Sequence, residues 1–118
     1  MKTFETNTAI AALLCDILKE ICLSRSNSVP VFDWSVMEGG LKSLVVDDVG
    51  LAAKFVIDSE LAIPEAFHER WRKHYENTGW VSGRYFSLQR KVSPHLADFN
   101  SCTQLHKIYI RLLLLLVR

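Results

Sequence analysis

The stretch that most constrains the fold runs from residue 65 to residue 83, EAFHERWRKHYENTGWVSG. It carries a large aromatic side chain every four residues: Phe67, Trp71 and Tyr75. That spacing places all three rings on one face of an α-helix, which predicts a buried aromatic stripe. Gly79 predicts the helix end, because glycine adopts without strain the left-handed conformation that follows a last helical turn. Trp80 follows at once, so we expect two indoles to bracket one corner of the fold.

Upstream of this stretch, a helix is predicted from Thr6 to about Ser24, with Thr6 or Asn7 as its N-cap and residues 1–5 as a loose lead-in. Its apolar positions follow helical spacing: Ile10, Leu13, Leu14, Ile17, Leu18 and Ile21. The segment that follows, SVPVFDWSVMEGG, holds Phe32 and Trp34 near a glycine pair. It predicts an irregular, partly buried crossing, because a flexible linker would not carry two large aromatic residues.

Residues 41–46, LKSLVV, fit either a short strand or the first turn of the next helix. Asp47-Asp48 suits a start of that helix, because carboxylates are stabilised at the positive end of the helix macrodipole. Pro64 is expected to open the aromatic helix, since proline fits the first helical position. Ser101 is expected to cap a last helix whose leucine-rich end, residues 112–116, is apolar all round and therefore buried on most sides.

The remaining segment, VSGRYFSLQRKVSPHLADF, mixes extended-favouring residues with Gly83 and Pro94, which predicts a small hairpin or a long loop. Together these patterns predict a mainly α fold with four to five helices. At 118 residues the chain is long enough for one domain, spanning residues 1–118. Its core is large enough to be stable without disulfides or a bound metal. A composition of 49% hydrophobic and 23% charged residues excludes a disordered chain.

Cysteine content and hydropathy bear on location. The three cysteines, Cys15, Cys22 and Cys102, are odd in number and do not form a disulfide framework, which indicates a reducing, cytoplasmic setting. The strongest apolar run, residues 112–117, is far shorter than the ~20 residues that cross a bilayer. The N-terminal residues lack the basic end and unbroken apolar run of a signal peptide. We therefore expect neither export nor membrane insertion.

Charge is divided unequally along the chain. Residues 1–63 hold five Lys/Arg and nine Asp/Glu, a net charge of −4, whereas residues 64–118 hold nine and four, a net charge of +5. Either the two halves attract each other across the fold, or the basic half meets an anion. The basic residues concerned are Arg70, Arg72, Lys73, Arg84, Arg90 and Lys91. Duplex nucleic acid is not expected as a partner, because these scattered charges make a weak counterion-release footprint.

The run PEAFHERWRKHYENTGWVSGR, followed by SPHLADF and a terminal apolar helix, resembles the ryanodine receptor repeat, the Ryr domain. That family reads roughly as His-x-x-Trp, a spacer, Gly-Trp-x-Tyr-Gly, a charged loop, His-Pro-x-Leu-x-Pro-Tyr and a helix. The matching residues are His68, Trp71, Gly79, Trp80, Gly83, Pro94, Leu96 and, in place of the final tyrosine, Phe99. The helix from Ile10 and the Phe32-Asp33-Trp34 crossing are similar to the first half of the stand-alone bacterial and phage versions.

The resemblance implies a compact, mainly helical domain with a small antiparallel two-stranded element. It also implies a cytosolic binding module, since the repeats of the calcium-release channels are cytosolic and lie outside the pore. Three positions depart from the family pattern: Ser82 replaces tyrosine, Ser93 replaces histidine and Asp98 replaces proline. Each of these changes removes a ring from the predicted corner.

Five residues are candidate ligand contacts: His68, Trp71, Trp80, Arg84 and His95. The two indoles can be core residues, or one can stack on a planar base. His68 can instead hold a backbone or carboxylate group. Arg84 is either a bidentate anion contact directly after the glycine turn or a solvated surface side chain. No pair of residues has metal-ligand spacing such as Cys-x-x-Cys, so the sequence predicts no metal and no cofactor.

These features favour a non-catalytic binding module for a small anionic or nucleotide-like ligand at the corner formed by Trp71, Trp80 and Arg84. The alternative is a protein-interaction module, in which the apolar C-terminal helix or the Phe32/Trp34 segment meets a protein partner or a second copy of the chain. An enzyme is the third choice, because no nucleophile–base pair is recognisable in the sequence.

Overall fold

A computed structural model describes residues 4–25, 33–59 and 62–118. Four α-helices make up most of it: α1 (Phe4–Arg25), α2 (Gly39–Asp58), α3 (Pro64–Asn77) and α4 (Gln104–Val117). Between α3 and α4 lie two short strands, β1 (Val81–Ser82) and β2 (Val92–Ser93), and a 3₁₀ turn, Phe99–Ser101. The predicted mainly α fold is therefore confirmed.

The core lies where the helices meet around α2, which packs against α1, α3 and α4, while α1 also contacts α4. Each helix contributes fully buried apolar side chains to it: Leu14 and Leu18 from α1, Val49 from α2, Phe67 from α3, and Ile110 and Leu113 from α4. The aromatic stripe of α3 faces this core, because Phe67, Trp71 and Tyr75 are all buried. Burial of such large rings is a main contribution to the stability of a domain of this size.

The two ends of α3 follow the prediction. Pro64 is the first helical residue, where its missing N–H costs no intrahelical hydrogen bond. Gly79 follows the helix with a φ of 96°, the left-handed region that glycine tolerates. The Trp80 N–H then donates a hydrogen bond of 3.0 Å to the Tyr75 carbonyl and closes the corner. These contacts fix Trp80 directly beneath the last turn of α3.

The ends of the other helices differ from the prediction. Helix α1 begins at Phe4, so residues 4 and 5 are helical and not part of a loose lead-in. The last helix is capped by Thr103, whose hydroxyl accepts a hydrogen bond from the His106 N–H at 3.2 Å. Ser101 lies two residues earlier, in the 3₁₀ segment. A threonine hydroxyl caps as a serine does, and the intervening 3₁₀ turn displaced the true start by two residues.

Helix α2 begins at Gly39, so residues 41–46 are its first turns and the strand alternative is excluded. The expectation that Asp47-Asp48 starts this helix is wrong, because both residues lie in its middle. Asp47 is exposed, whereas Asp48 is only 5% exposed. Apolar residues continue on the buried face both before and after Asp48, so Asp48 is an interior residue of the helix and not its start.

The strand pair is parallel, and the expected antiparallel arrangement is wrong. Val81 pairs with Val92 and Ser82 with Ser93, with a hydrogen bond of 2.9 Å from the Val81 N–H to the Lys91 carbonyl. The chain reverses twice between the strands, once after Gly83 and again between Ser87 and Val92, which form an antiparallel bridge. Two reversals restore the original direction, so a hairpin-like segment produces parallel strands.

The predicted crossing lies only partly within the structure, since Phe32 falls outside the described residues. Asp33 accepts a hydrogen bond of 3.1 Å from the Lys19 ammonium group, which ties the crossing to α1. Trp34 is half-buried, with the Lys42 ammonium 5.1 Å from its ring centroid. This part of the crossing is thus partly buried, as predicted.

The leucine-rich end of α4 is buried on most sides, as predicted, with Leu112 and Leu116 half-buried against the core. Leu113 and Leu114 are buried, whereas Leu115 is 63% exposed. Among the helices in the described ranges, none has the length and apolar character needed to span a bilayer.

Candidate ligand-binding cavity

A cavity of about 390 Å³ opens between α2, α3, α4 and the segment that holds the two strands. Its wall is mostly apolar, with a few polar groups at defined places. The lining residues are Met37, Leu41, Leu44, Val45, Asp48, Trp71, Tyr75, Trp80, Phe86, Ser93, His95, Leu96, Thr103, Leu105, His106 and Tyr109. A cavity of this size, apolar with a few polar groups, is typical of small-molecule sites.

One wall of the cavity is a continuous series of aromatic rings. The Trp71 and Tyr75 ring centroids are 5.0 Å apart, Tyr75 and Trp80 are 5.8 Å apart, and Trp80 and Phe86 are also 5.8 Å apart. Tilted and edge-to-face pairs at these distances stabilise one another beyond their simple burial. Phe86 remains 47% exposed although it lines the cavity, so this wall reaches the molecular surface.

A buried carboxylate lies at the side formed by α2. The Tyr109 hydroxyl donates to Asp48 Oδ2 at 2.5 Å, and the Tyr75 hydroxyl donates to Oδ1. Burial raises the pKa of Asp48 to about 6, although the two hydroxyl hydrogen bonds and the nearby Trp71 N–H act to lower it. Burial and the adjacent carboxylate raise the pKa of both tyrosines, which therefore remain protonated donors.

Trp71 lines the cavity, but its indole N–H is itself buried. This N–H lies close enough to Asp48 to influence that carboxyl, but it makes no hydrogen bond of proper geometry to any described residue. Buried N–H groups are nearly always paired in folded proteins, and an unpaired one costs free energy. The part of Trp71 that a molecule in the cavity can contact is therefore its ring and not its N–H.

Two imidazoles complete the opposite side. The His95 and His106 rings stack with their centroids 4.2 Å apart and an interplanar angle of 8°. Burial lowers the pKa of His106 to about 2, with further lowering from His95 and His68. Burial likewise lowers the pKa of His95. Both rings are accordingly neutral near pH 7, and each offers one donor and one acceptor nitrogen.

Of the five predicted contact residues, Trp71, Trp80 and His95 line this one cavity. His68 is fully buried outside the lining set, stacked on Trp71 at 5.3 Å. Its Nε2–H donates to the Ala97 carbonyl at 2.7 Å, the backbone role that was the alternative at the sequence level. Arg84 is exposed and is not among the residues that line the cavity. The structure thus joins the two indoles but leaves the arginine apart from them.

The other basic residues of the second half also do not gather around the cavity. Arg72 forms ion pairs with Glu69, Glu76 and Asp98 at 3.3–3.4 Å. The Lys91 ammonium group donates to the Thr78 carbonyl at 3.1 Å. These ion pairs, like that of Lys19 and Asp33, join residues of the same half of the chain. They therefore give no support to attraction between the two halves.

Sequence reasoning missed most of the lining residues as site residues, among them Asp48, Phe86, His106 and Tyr109. A signal existed for Asp48, because Val45 and Ala52 share its helical face and are buried. A carboxylate inside an apolar stripe indicates a buried acid with partners more strongly than a helix start. For His106 and Tyr109 the signal was weaker, since their helix is apolar on several sides and periodicity does not single them out.

A second cluster of side chains lies beside the cavity. His68, Cys102 and His106 each offer one atom that can bind a metal, and these three atoms lie within 4.8 Å of one another. All three residues are buried. These residues come from α3, the end of the 3₁₀ turn and α4. Their separation along the chain explains why a search for local metal-binding spacing did not find them.

Searches for similar proteins returned no matching protein-family model, no matching curated protein and no matching solved structure.

Proposed function

We propose that this protein is a binding module that holds a small, planar, predominantly apolar molecule in the cavity between α2, α3 and α4. The observation that carries the proposal is the aromatic wall of Trp71, Tyr75 and Trp80. A planar ring can stack against such a wall, and stacking of one base on an aromatic side chain contributes roughly 1–3 kcal/mol.

The charge of the cavity defines the class of ligand further. Among the described residues that line it, none is Lys or Arg, and the one ionisable acid is Asp48. A phosphate or carboxylate inside the cavity would meet this carboxylate and no compensating cation, which is unfavourable in a site of low dielectric. The proposal is therefore a neutral heteroaromatic ring. An anionic group, if the ligand carries one, would have to lie outside the cavity, where Arg84 is one of the exposed cations.

A binding role is proposed in preference to catalysis. Both oxygens of Asp48 accept hydrogen bonds from tyrosines, so this carboxylate is occupied as an acceptor. The Cys102 thiol is outside the lining, and burial raises its pKa, which keeps it protonated. A nucleophilic cysteine requires the opposite shift.

Kinship with the Ryr repeat and a cytoplasmic location belong to the same proposal. The helical architecture is the one that the resemblance implies, and the motif residues Trp71, Trp80 and Leu96 all line the cavity. Buried thiols at Cys15 and Cys102 are compatible with a reducing compartment.

The direct test is a pair of thermal-shift titrations with adenosine and adenosine 5′-monophosphate, which differ only in the phosphate, followed by the same pair for guanosine. Binding at 100 times the dissociation constant adds about 2.7 kcal/mol to the free energy of unfolding. We expect at least one nucleoside to stabilise the protein as well as its phosphate does. If only the phosphates stabilise it, and Arg84→Gln abolishes that effect, an anion site at Arg84 replaces the neutral cavity site.

A matched pair of variants locates the binding. Leu41→Phe adds volume to a half-buried position that lines the cavity, whereas Leu115→Phe adds the same volume to an exposed position outside it. The first is expected to weaken nucleoside binding and the second to leave it unchanged. Equal effects of the two substitutions, or none of either, would place any binding elsewhere.

The alternative, a protein-interaction module, has one supporting observation, the 63% exposure of Leu115 on α4. A dependence of the solution mass on protein concentration that Leu115→Gln removes would support it.

A further inference from the structure

We propose that His68, Cys102 and His106 form a binding site for a divalent transition-metal ion of the Zn²⁺ type. Imidazole nitrogen and thiolate sulfur are ligands that Zn²⁺ prefers, and mixed sets of histidine and cysteine are common at its sites. The three side chains come from three different elements, so an ion held by them would join α3, the 3₁₀ turn and α4.

The distance between the two histidine nitrogens of the cluster is that of a tetrahedral site, and the cysteine sulfur lies within 4.8 Å of the other ligand atoms. With Zn–N of about 2.0–2.1 Å and Zn–S of about 2.3 Å, tetrahedral angles separate two nitrogens by about 3.3 Å and a sulfur from a nitrogen by about 3.6 Å. His106 Nε2 lies 3.3 Å from His68 Nδ1, and Cys102 Sγ lies 3.7 Å from His68 Nε2. These two distances use different nitrogens of His68, so closing the coordination shell requires a side-chain rotation at Cys102 or His68.

The surroundings of His68 orient it as a metal ligand. A carbonyl oxygen only accepts hydrogen bonds, so the 2.7 Å contact with Ala97 fixes the proton on His68 Nε2. The lone pair then lies on Nδ1, the nitrogen that faces His106. A backbone carbonyl that holds the non-ligating N–H of a histidine is the usual outer-shell arrangement of metal sites.

Without metal, the same atoms satisfy one another by hydrogen bonds. His106 Nε2–H donates to His68 Nδ1, and the Cys102 thiol lies 3.5 Å from the Asp98 carbonyl and 3.6 Å from that of His95. Metal binding replaces this network in a balanced step. The Cys102 thiol loses its proton to solvent and binds as thiolate, and His106 moves its proton from Nε2 to Nδ1 so that Nε2 can bind.

The test uses the whole chain, unfolded and refolded with excess Co²⁺ because the ligands are buried, then freed of unbound ion. Tetrahedral Co²⁺ bound to a thiolate gives a near-ultraviolet charge-transfer band and strong visible bands. We expect one Co²⁺ per chain with both features, displaced by an equal amount of Zn²⁺. A folded wild-type protein that takes up no Co²⁺ under these conditions would overturn the proposal, and the cluster would then be a hydrogen-bonded core network only.

Variants separate this site from other thiols and from misfolding. Cys102→Ser is expected to lose the charge-transfer band and to weaken Co²⁺ binding at least tenfold, whereas Cys22→Ser, on α1 and outside the cluster, retains both. His106→Gln, checked for helix content by circular dichroism, provides a second loss of binding. Retention of the band in Cys102→Ser, or an equal loss in Cys22→Ser, contradicts the assignment. His68 and Cys102 do not line the cavity, so metal uptake and nucleoside binding can succeed or fail separately.

Discussion

The Tyr109 hydroxyl, on the last helix, donates a hydrogen bond of 2.5 Å to Oδ2 of Asp48, in the middle of the second helix and 61 residues earlier. Tyr75 completes the pair by donating to the other oxygen of the same carboxylate. Three helices are thereby joined at one buried acid that also lines the cavity. The stability of the fold and the shape of the site therefore depend on the same three residues.

Removal of the Tyr109 hydroxyl tests this connection. Tyr109→Phe leaves one oxygen of a buried carboxylate without its donor, and we expect the free energy of unfolding in urea to fall by about 1.5–3 kcal/mol. Tyr85→Phe is the matched control, because Tyr85 is 54% exposed and its hydroxyl accepts a hydrogen bond from Arg90 at 3.4 Å. A change within about 0.5 kcal/mol is expected there. Equal costs for the two substitutions would mean that the buried network does not stabilise the fold.

The raised pKa of Asp48 predicts a specific pH dependence. Because the carboxyl has a pKa of about 6 in the folded protein and an ordinary value of 3.8, folding favours its protonated form. Its favourable contribution is complete below the unfolded pKa and is lost as the pH rises through about 6. On going from about pH 7.5 to about pH 5, wild type should gain about 1 kcal/mol of stability relative to Asp48→Asn. Urea unfolding of both proteins at the two pH values measures this difference, and no relative gain contradicts a shifted carboxyl.

Gly83 is predicted to be required for the pairing of the two strands. The first strand directly follows Trp80, and the second contains Ser93. A Cβ at this position would lie 2.3 Å from Val92 Cγ1, so Gly83→Ala forces the two strands apart. We expect a loss of about 1–3 kcal/mol in the free energy of unfolding, the usual cost of overpacking. Gly39→Ala is the control, since a Cβ there meets nothing within 4 Å and alanine is the better helix former. A neutral Gly83→Ala would show that the strands can move apart without cost.

The two sides of α4 are predicted to respond differently to the same truncation. Leu113 is fully buried, and Leu113→Ala is expected to destabilise the fold by about 2–5 kcal/mol through lost burial and a residual cavity. Leu115 is 63% exposed, and Leu115→Ala should change stability by less than about 1 kcal/mol. Thermal unfolding monitored by circular dichroism compares the two. A large cost at Leu115 would indicate that this side of the helix is covered by a partner in solution.

Sequence patterns predicted the helices where the apolar period was strong and the ends had clear signals. The aromatic period of α3, Pro64 and Gly79 all belong to a single element, so local rules are sufficient there. The direction of the strands could not be predicted in the same way. It depends on two chain reversals within residues 83–92, and the second includes Lys91 in a left-handed conformation with φ of 55°. A lysine gives no sequence signal for such a turn.

The site could be predicted only in part, because local patterns do not reveal contacts between residues that are distant in the chain. Trp71 and Trp80 are close in the chain and were placed at one corner by the helix end alone. Asp48 joins them only through contacts with residues 27 and 61 positions away, which no local pattern reveals. The negative charge of Asp48 looked like a helix start because macrodipole arguments consider one helix at a time. Arg84 was predicted as a ligand contact because it follows the glycine turn, and it is exposed and not among the residues that line the cavity.

The central claim, that a small planar molecule binds in the aromatic cavity, is tested most directly by the three indole N–H signals in a ¹H–¹⁵N correlation spectrum. The Trp71 and Trp80 rings line the cavity, and Trp34 provides an internal control outside it. Titration with adenosine or guanosine is predicted to shift the Trp71 and Trp80 signals in a saturable manner and to leave Trp34 unmoved. Unchanged Trp71 and Trp80 signals at saturating concentrations of both nucleosides, or equal shifts of all three indoles, would contradict the account.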